Sequence, residues 1–293
     1  MADTKISAAT DIATLLGTDV FPVARPPNTT AYKATVAELQ TFMQSATYLS
    51  GFLFGMGLSN DVAAASTVLD IAAGTCTDST GAVLIKLGSA WTKSTGGAFA
   101  AGSGANGMGQ GLTIAINQWY FVFAIIAGGV ADVYFDTSAS AANAPVGTTA
   151  FRRIGAFRTN GAAAIIAFVQ NGDRFDWSSP VLDYNGTPGV TTAVSYALTV
   201  PPIPVEAMLS GHINDATTSS QALYLSSLAQ ADVVAGGTTG LTCQMGLTNS
   251  IGSYSGVRVM TNSSRQIRGR VSGAANAVQI FTNGWIDRRG RLN

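Results

Sequence analysis

Few residues of this 293-residue chain could carry out acid–base or nucleophilic chemistry. The single histidine, His212, lies in the sequence M-L-S-G-H-I-N. A Ser-His-Asp triad would have to use His212 with the nearby Asp215, but no serine occupies a G-x-S-x-G turn. The usual zinc ligand sets cannot be assembled around one imidazole. We interpret His212 as a residue of a strand rim, and the two distant cysteines, Cys76 and Cys243, as small buried thiols.

Two pairs of carboxylates, Asp132 with Asp136 and Asp173 with Asp176, are candidates for glycoside hydrolysis. Glycosidases hold two carboxyl groups about 5–9 Å apart. The first pair, however, falls at the two ends of a predicted strand, and Asp173 follows a hairpin glycine, so turn and strand-end roles explain both pairs. We therefore predict that the chain is not an enzyme, with a capsule depolymerase as the least favoured alternative.

Carbohydrate binding without catalysis has more support. Sugar recognition uses an exposed aromatic ring with polar partners beside it. Trp177 next to Asp176, and Trp285 near Asp287, have this arrangement in the sequence. The alternative interpretation is that both rings pack at the edge of a β-sandwich, because such rings usually supply core area.

The composition favours contacts with other subunits. Charged residues make up 11% of the chain, against about 25% in an ordinary soluble domain. The formal net charge is zero, so no overall field would recruit nucleic acid or an acidic membrane. Low charge with high apolar content predicts surface that is buried between subunits. Salt bridges between subunits are also the expected role of seven arginines near the C-terminus, Arg258, Arg265, Arg268, Arg270, Arg288, Arg289 and Arg291.

Short apolar runs separated by turn clusters predict an all-β fold after residue 48. Four turn clusters lie between two such runs and predict hairpins: Gly128-Gly129, Thr159-Asn160-Gly161, Asn171-Gly172 and Asn283-Gly284. Residues 96–111, rich in Gly, Ala, Ser and Asn, predict a mobile or ligand-facing loop. The predicted strands are 66–71, 82–87, 118–126, 130–136, 151–158, 164–170, 173–177, 190–200, 206–213, 222–225, 256–260, 266–271 and 277–281.

Residues 183–189, with the sequence D-Y-N-G-T-P-G, carry the strongest linker signal. The predicted organisation is a segment at 1–47, an antiparallel β-sandwich-like domain at 48–185 and a second one at 186–293. We expect no membrane insertion, because the longest apolar run is shorter than the roughly 20 residues that cross a bilayer. The start lacks the basic and apolar regions of a signal peptide, which predicts synthesis in the cytoplasm.

The first 43 residues differ in character from the rest. An extended polar start and a short apolar run precede D-V-F-P-V at 19–23, a Pro-Pro-Asn turn and T-V-A-E-L-Q-T-F-M at 35–43. Thr35 with Glu38 forms a capping box for one short helix. The apolar face of this helix carries Val36, Leu39, Phe42 and Met43. A segment this small cannot bury a core of its own, so it must dock elsewhere.

The order of these features resembles the N-terminal attachment segment of tailed-bacteriophage fibre and appendage proteins. That segment combines a K-I-S-x-L opening, a D-x-x-P-V strand and a K-x-T-x-x-E-L helix. The departures are Ala9, where leucine is often found, and Ala34, where a β-branched residue is often found. The residues that match are Lys5, Ile6, Ser7, Asp19, Pro22, Val23, Lys33, Thr35, Glu38 and Leu39. Residues 71–79, 132–138, 151–154 and 175–177 also resemble a module of phage and prophage fibre-like proteins.

The resemblance implies a structural virion protein, made in the host cytoplasm, which forms a fibre or whisker-type appendage and contributes to host attachment. Its expected partners are a portal, adaptor, neck, head or baseplate protein. We further predict a homotrimer, because a short anchor gains from three linked copies. A glycan-binding lectin at a fibre tip is the alternative, and no cofactor or metal is expected. The docking contacts are expected from Lys5, Ile6, Ile12, Leu15, Leu16, Asp19, Phe21, Pro22 and Val23.

Overall fold

The computed structural model describes residues 20–23, 32–35, 37, 51–214, 221–236, 242–245, 251–274 and 276–290. Every named element in this part of the chain is a β-strand, which confirms the predicted all-β class. The predicted helix at 35–43 lies outside the described residues except for Thr35 and Ala37.

Twenty-one strands are described. In chain order they are β1 (Val20–Val23), β2 (Tyr32–Thr35), β3 (Leu53–Gly55), β4 (Leu58–Asn60), β5 (Val68–Ile71), β6 (Gly74–Thr77), β7 (Leu84–Leu87), β8 (Trp91–Ala98), β9 (Asn106–Met108), β10 (Trp119–Ala127), β11 (Val130–Asp136), β12 (Thr148–Arg158), β13 (Phe168–Asn171), β14 (Arg174–Gly186), β15 (Val194–Ala197), β16 (Glu206–Asn214), β17 (Gln221–Ser226), β18 (Cys243–Met245), β19 (Ile251–Met260), β20 (Gln266–Val271) and β21 (Ala277–Ile286).

One large sheet dominates the molecule. Its twelve strands follow the order β12-β10-β11-β9-β8-β5-β4-β13-β14-β21-β16-β19. Two smaller sheets have the orders β15-β20-β17-β18 and β3-β6-β7, and β1 pairs with β2 alone. Long antiparallel ladders join β10 to β11 and β12, and β21 to β14 and β16. By contrast, single residue pairs join β9 to β11 and β4 to β13, so the sheet is weakly tied at these two positions.

The two ends of the large sheet face each other. Strands β10 and β21 are the second and tenth in the order, which would put them roughly 38 Å apart in a flat sheet with the usual strand spacing. The rings of Trp119 on β10 and Trp285 on β21 are nevertheless 5.4 Å apart between centroids. The sheet must therefore fold back on itself, which gives a sandwich-like core between β10–β12 and β14–β21.

Three tryptophans form the centre of this core. Trp177 lies 5.7 Å from Trp119 and 5.0 Å from Trp285, and Phe175 stacks on Trp285 at 5.0 Å with the ring planes 4° apart. All four rings are buried. Because these residues come from distant parts of the chain, their contacts hold the two faces of the folded sheet together.

Two of the four predicted hairpins are confirmed. The turn at Thr159-Asn160-Gly161 is closed by an isolated bridge between Thr159 and Ile165, and β12 does not pair with β13. Gly128-Gly129 joins β10 to β11, and Asn171-Gly172 joins β13 to β14. The prediction at Asn283-Gly284 is wrong, because β21 runs through both residues and Gly284 pairs with Asp176 on one side and Met208 on the other. A Cβ at Gly284 would lie 2.0 Å from a backbone oxygen of β14, so glycine is needed here for close strand approach rather than for a turn.

The predicted boundary between residues 185 and 186 falls inside β14. This strand pairs with β21 up to Gly186, so the large sheet crosses from one predicted domain into the other. Asp183, interpreted above as part of a linker, accepts hydrogen bonds from the Thr199 amide at 2.9 Å, the Thr199 hydroxyl at 2.6 Å and the Thr282 hydroxyl. The division into two domains stays a prediction, but residues 183–186 of the predicted linker belong to β14, and Asp183 is held by these contacts.

Replacing Trp285 by alanine should destabilise the protein by about 3–5 kcal/mol, since it leaves a large cavity where the sheet folds over. Urea unfolding followed by circular dichroism measures the change. Val169→Ala is the control, because Val169 is 59% exposed and its truncation should cost less than about 0.5 kcal/mol. Equal losses from the two variants would contradict the central role of the tryptophan contacts.

Candidate functional site

The described part of the N-terminal segment is a β-hairpin. Strand β1 pairs antiparallel with β2 in four register positions, including Phe21 with Ala34 and Pro22 with Lys33. The D-x-x-P-V part of the pattern is therefore paired with the part that contains Lys33 and Thr35. Proline is tolerated here because β1 lies at the edge of a two-stranded sheet.

Three of the predicted docking residues, Phe21, Pro22 and Val23, belong to β1, which confirms the strand predicted at this point. The other six, Lys5, Ile6, Ile12, Leu15, Leu16 and Asp19, lie outside the described residues. The hairpin is thus the described portion of the candidate attachment site.

The two tryptophans predicted to stack on sugars are not exposed. Trp177 is 4% exposed and donates its indole N–H to the Thr199 carbonyl at 3.1 Å, and Trp285 is 0% exposed. A sugar ring needs an open aromatic face, which neither side chain offers in this fold. The sequence could not distinguish these rings from surface rings, because both lie beside aspartate and arginine, which usually mark an exposed strand.

The carboxylates next to these tryptophans have charged partners of their own. Asp176 lies 2.8 Å from the Arg174 Nε on the surface. Asp287 is buried and accepts hydrogen bonds from both Nη atoms of the Arg153 guanidinium, and Arg153 Nη2 lies 3.0 Å from Asp287 Oδ1. Arg153 lies on β12 and Asp287 directly follows β21, so this ion pair adds to the tryptophan contacts between the two ends of the sheet.

The carboxylates considered for hydrolysis also form hydrogen bonds or ion pairs within the chain. Asp136 is fully buried and accepts hydrogen bonds from the Tyr134 hydroxyl, the Ser138 amide and both the backbone and the side chain of Asn143. Burial raises the pKa of Tyr134, and the neighbouring Asp136 adds to this shift. Asp173 Oδ1 accepts a hydrogen bond from Arg289 Nη2 at 3.0 Å. These contacts give Asp136 and Asp173 structural roles.

Lys93 and Asp132 form a buried ion pair that sequence analysis did not identify. Lys93 Nζ lies 2.8 Å from Asp132 Oδ1, with side-chain exposures of 0% and 4%. The ammonium also donates to the Ala100 carbonyl at 2.8 Å, and Asp132 Oδ2 accepts the Gly102 amide at 2.8 Å. Burial lowers the pKa of Lys93, and Asp132 opposes that shift.

This ion pair corrects the prediction of a loop at 96–111. The segment contains the end of β8 and all of β9, which pairs in parallel with β8 and β11. Ala100 and Gly102 are tied to the Lys93–Asp132 pair through their backbone. Close packing requires glycine at two positions of this segment: a Cβ at Gly107 would lie 3.0 Å from the Phe135 ring, and one at Gly109 would lie 2.6 Å from the Asn143 carbonyl oxygen.

His212 lies within the large sheet rather than at its rim. On β16 it pairs with Ser253 of β19 on one side and Gln279 of β21 on the other, and it is half-buried. Cys76 is free and buried, as predicted, and burial raises the pKa of its thiol to about 12. Among the described residues, no three His, Cys, Asp or Glu side chains are grouped so that they could hold a metal ion. Within the same part of the chain, no helix has the length and hydropathy needed to cross a membrane.

Four of the seven C-terminal arginines pair with carboxylates of the same chain, and salt bridges between subunits stay a prediction. Arg268 and Arg270 both approach Asp232, at 3.9 and 3.0 Å. Arg258 lies 3.7 Å from Glu206, and Arg289 pairs with Asp173. Arg288 is exposed, and Arg291 lies outside the described residues.

Two neighbouring cavities lie on the described surface. One of about 550 Å³ lies between β17 and the ends of β16 and β19, and one of about 480 Å³ lies beside Asp287 and Arg288. Glu206 and Met260 line both, so the two cavities are adjacent, and together they are called the Glu206 groove below. Its other polar residues include Arg258, Tyr224 and Arg153, and its apolar walls include Ile203, Pro204, Val259 and Ile286.

Sequence analysis found Asp287 and Arg288 but missed the rest of the Glu206 groove. Its lining comes from residues 203–206, 224–230, 258–260 and 286–290, together with Ala139 and Arg153. No motif links these stretches, because antiparallel pairing of β16 with β19 and β21 is what brings them together.

No protein family, curated protein or solved structure matches this chain.

Breaking the Lys93–Asp132 pair on one side should destabilise the protein by about 3–5 kcal/mol, because an unpaired charge is left in the core. Lys93→Met tests this in urea unfolding. The double variant Lys93→Met with Asp132→Leu should recover most of the loss, since it removes both charges at similar volume. Strictly additive losses would show that the two residues do not act as a pair.

Proposed function

We propose that this chain is a structural protein of a tailed-phage virion, a fibre or whisker-type appendage that docks through its N-terminal segment. The observation that carries the proposal is the ordered pattern from Lys5 to Leu39. The pairing of β1 with β2, which joins the two central parts of the pattern in one hairpin, supports it. Synthesis in the host cytoplasm and incorporation into the particle belong to the same proposal.

The β-strand body supports a structural rather than a catalytic role. The carboxylates that could have served in hydrolysis are held by arginine, lysine or several hydrogen bonds. Such contacts fix side chains in place and stabilise strand ends. The N-terminal segment supplies attachment to a portal, adaptor, neck, head or baseplate protein, and the body projects from it.

Removing residues 1–43 should eliminate the protein from purified particles while leaving its β-strand body folded. Mass spectrometry of the particles and circular dichroism of the truncated chain measure the two outcomes. A chain that lacks only residues 2–4, which precede the pattern, is the control and should remain on the particle. Truncated protein found on particles at the control level would place the attachment contacts elsewhere in the chain.

We also propose that the chain assembles as a homotrimer. The described part of the large sheet ends in two long strands, β12 with 11 residues and β19 with 10, and strand edges of this kind are usually covered. The chain itself covers part of the β12 edge, since the Ser79 amide donates to the Phe151 carbonyl at 2.8 Å. The low charge content of the chain fits extensive contact between copies.

Light scattering coupled to size-exclusion chromatography should give a mass of three 30.0 kDa chains. A charge introduced at the exposed Thr149 of β12, by Thr149→Glu, tests whether this strand lies at the interface. Thr191→Glu, also at an exposed threonine but outside the named strands, is the control. The β12 variant should shift the mass towards one chain if β12 lies at the interface. A monomer for the unaltered chain would contradict the trimer.

A second candidate function is binding of a host-surface glycan in the Glu206 groove. The observation that favours it is the combination of open cavities with polar groups, Glu206, Arg258 and Arg288, next to the half-buried Tyr224 ring. Carboxylate and guanidinium groups bind hydroxyls, and apolar side chains such as Met260, which is 48% exposed, cover the less polar ring face. The proposed sugar site thus lies beside Asp287 rather than on Trp177 and Trp285.

Glycan-array binding tests this second function. Arg288→Ala and Glu206→Gln should each weaken binding at least tenfold, a loss of about 1.4 kcal/mol. Arg174→Ala is the matched control, because Arg174 is exposed and pairs with Asp176 outside the groove. Binding that is absent in the unaltered chain, or equal in all variants, would remove this function.

A further inference from the structure

The sequence contains five Asn-Gly dipeptides, which begin at Asn106, Asn160, Asn171, Asn185 and Asn283. Asparagine before glycine is prone to lose ammonia through a succinimide, because glycine has no Cβ to hinder attack of its backbone nitrogen on the preceding side chain. The attack requires a backbone N–H that is not held in a hydrogen bond. It also requires an asparagine side chain that can turn towards this nitrogen.

Three of these asparagines are held within paired strands. Asn185 of β14 pairs with Gln279 of β21, and its Oδ1 accepts the Gln279 Nε2 at 3.1 Å. Asn283 lies in β21 between β14 and β16, and its Oδ1 accepts the Ser210 hydroxyl at 3.0 Å. Asn106 lies in β9 and pairs with β8. Pairing between strands fixes the backbone at each of these positions, which opposes ring closure.

Asn160 is exposed, as is Gly161, but its side chain is held by the turn that it starts. Asn160 Oδ1 accepts the Ala162 amide at 2.8 Å and the Ala164 amide at 3.1 Å. These two hydrogen bonds keep the carboxamide directed at its own turn, an arrangement that asparagine often adopts. Exposure alone therefore does not make this asparagine reactive.

Asn171 differs from the other four. It ends β13 and pairs with Arg174, so Gly172 and Asp173 form the turn to β14. Asn171 and Gly172 are both exposed, and a Cβ at Gly172 would meet no atom within 4 Å. Within the described structure, the Asn171 side chain makes no hydrogen bond and the Gly172 amide donates none. The Gly172 carbonyl accepts Gln170 Nε2 at 2.8 Å, an exposed contact that leaves the Gly172 nitrogen free.

We propose that Asn171 is a site of spontaneous deamidation and isomerisation, with water as the co-reactant. The Gly172 backbone nitrogen attacks Asn171 Cγ and forms a C–N bond, the bond from Cγ to the side-chain nitrogen breaks, and that nitrogen leaves as ammonia with the backbone proton. Water then opens the succinimide ring. Opening at the side-chain carbonyl gives aspartate, and opening at the backbone carbonyl gives isoaspartate, in which the main chain runs through the side chain.

Both products change the tip of the β13–β14 hairpin. Each adds a negative charge close to Asp173, which pairs with Arg289 at 3.0 Å and whose carbonyl accepts the Asp287 amide at 2.9 Å. Isoaspartate also adds a methylene group to the backbone, which disturbs the register between Asn171 and Arg174. The modification thus acts beside contacts that join β14 to the residues after β21. It depends neither on attachment to a virion nor on glycan binding.

Ageing of the full chain at mildly alkaline pH tests the proposal, because alkali favours loss of the backbone proton. Peptide mass spectrometry follows each Asn-Gly sequence, since conversion replaces an NH2 group by an OH group. Asn171 should convert several-fold faster than each of the other four asparagines. In urea the five rates should approach one another, because the contacts that hold the other four are lost. Conversion at Asn171 that is no faster than at the equally exposed Asn160 in the folded chain would overturn the proposal.

Ion-exchange chromatography of the aged protein gives a second measurement. Asn171→Gln should remove most of the acidic species that accumulates, since the longer side chain closes its ring far more slowly. Asn160→Gln is the matched control and should leave the acidic species unchanged. Enzymatic methylation of isoaspartyl carboxylates should label the aged unaltered chain and the control, but not Asn171→Gln. An acidic species that forms equally in all three chains would assign the modification to another residue and overturn the proposal.

Discussion

Contact between Trp119 and Trp285 is the constraint on which the rest of the fold depends. These residues lie on strands that are eight positions apart in one sheet, yet their rings meet at 5.4 Å. The contact is possible because single residue pairs at β9–β11 and β4–β13 tie the middle of the sheet weakly. Folding the sheet here removes the rings of Trp119, Trp177 and Trp285 from water, which favours the folded-over arrangement.

Buried ion pairs specify which parts of the chain meet when the sheet folds over. Arg153–Asp287 and Arg289–Asp173 join residues that are more than a hundred positions apart in the sequence, and Lys93–Asp132 secures the segment that carries β9. A chain with 11% charged residues uses several of them inside the protein, where an unpaired charge is costly and the correct partner is therefore strongly specified. This use of charge explains why the C-terminal arginines and the candidate catalytic carboxylates have partners within the chain.

The fold separates two kinds of surface. The Glu206 groove combines charged groups with apolar walls and is built from residues that strand pairing brings together. By contrast, the exposed side chains of Phe52, Phe54 and Leu84 on the β3-β6-β7 sheet are apolar.

The sequence alone determined the all-β class, most strand positions and two hairpins, because alternation and turn residues act over a few neighbouring positions. It also determined the N-terminal pattern, whose β1 strand lies where Pro22 requires an edge. The tertiary structure decided the rest. In the structure, Gly284 allows β14 to lie close to β21, and Asp183 accepts hydrogen bonds within β14. Trp177 and Trp285 lie in the core. Each depends on which strand lies opposite, and pairing between strands distant in the chain leaves no local signal in the residues it joins.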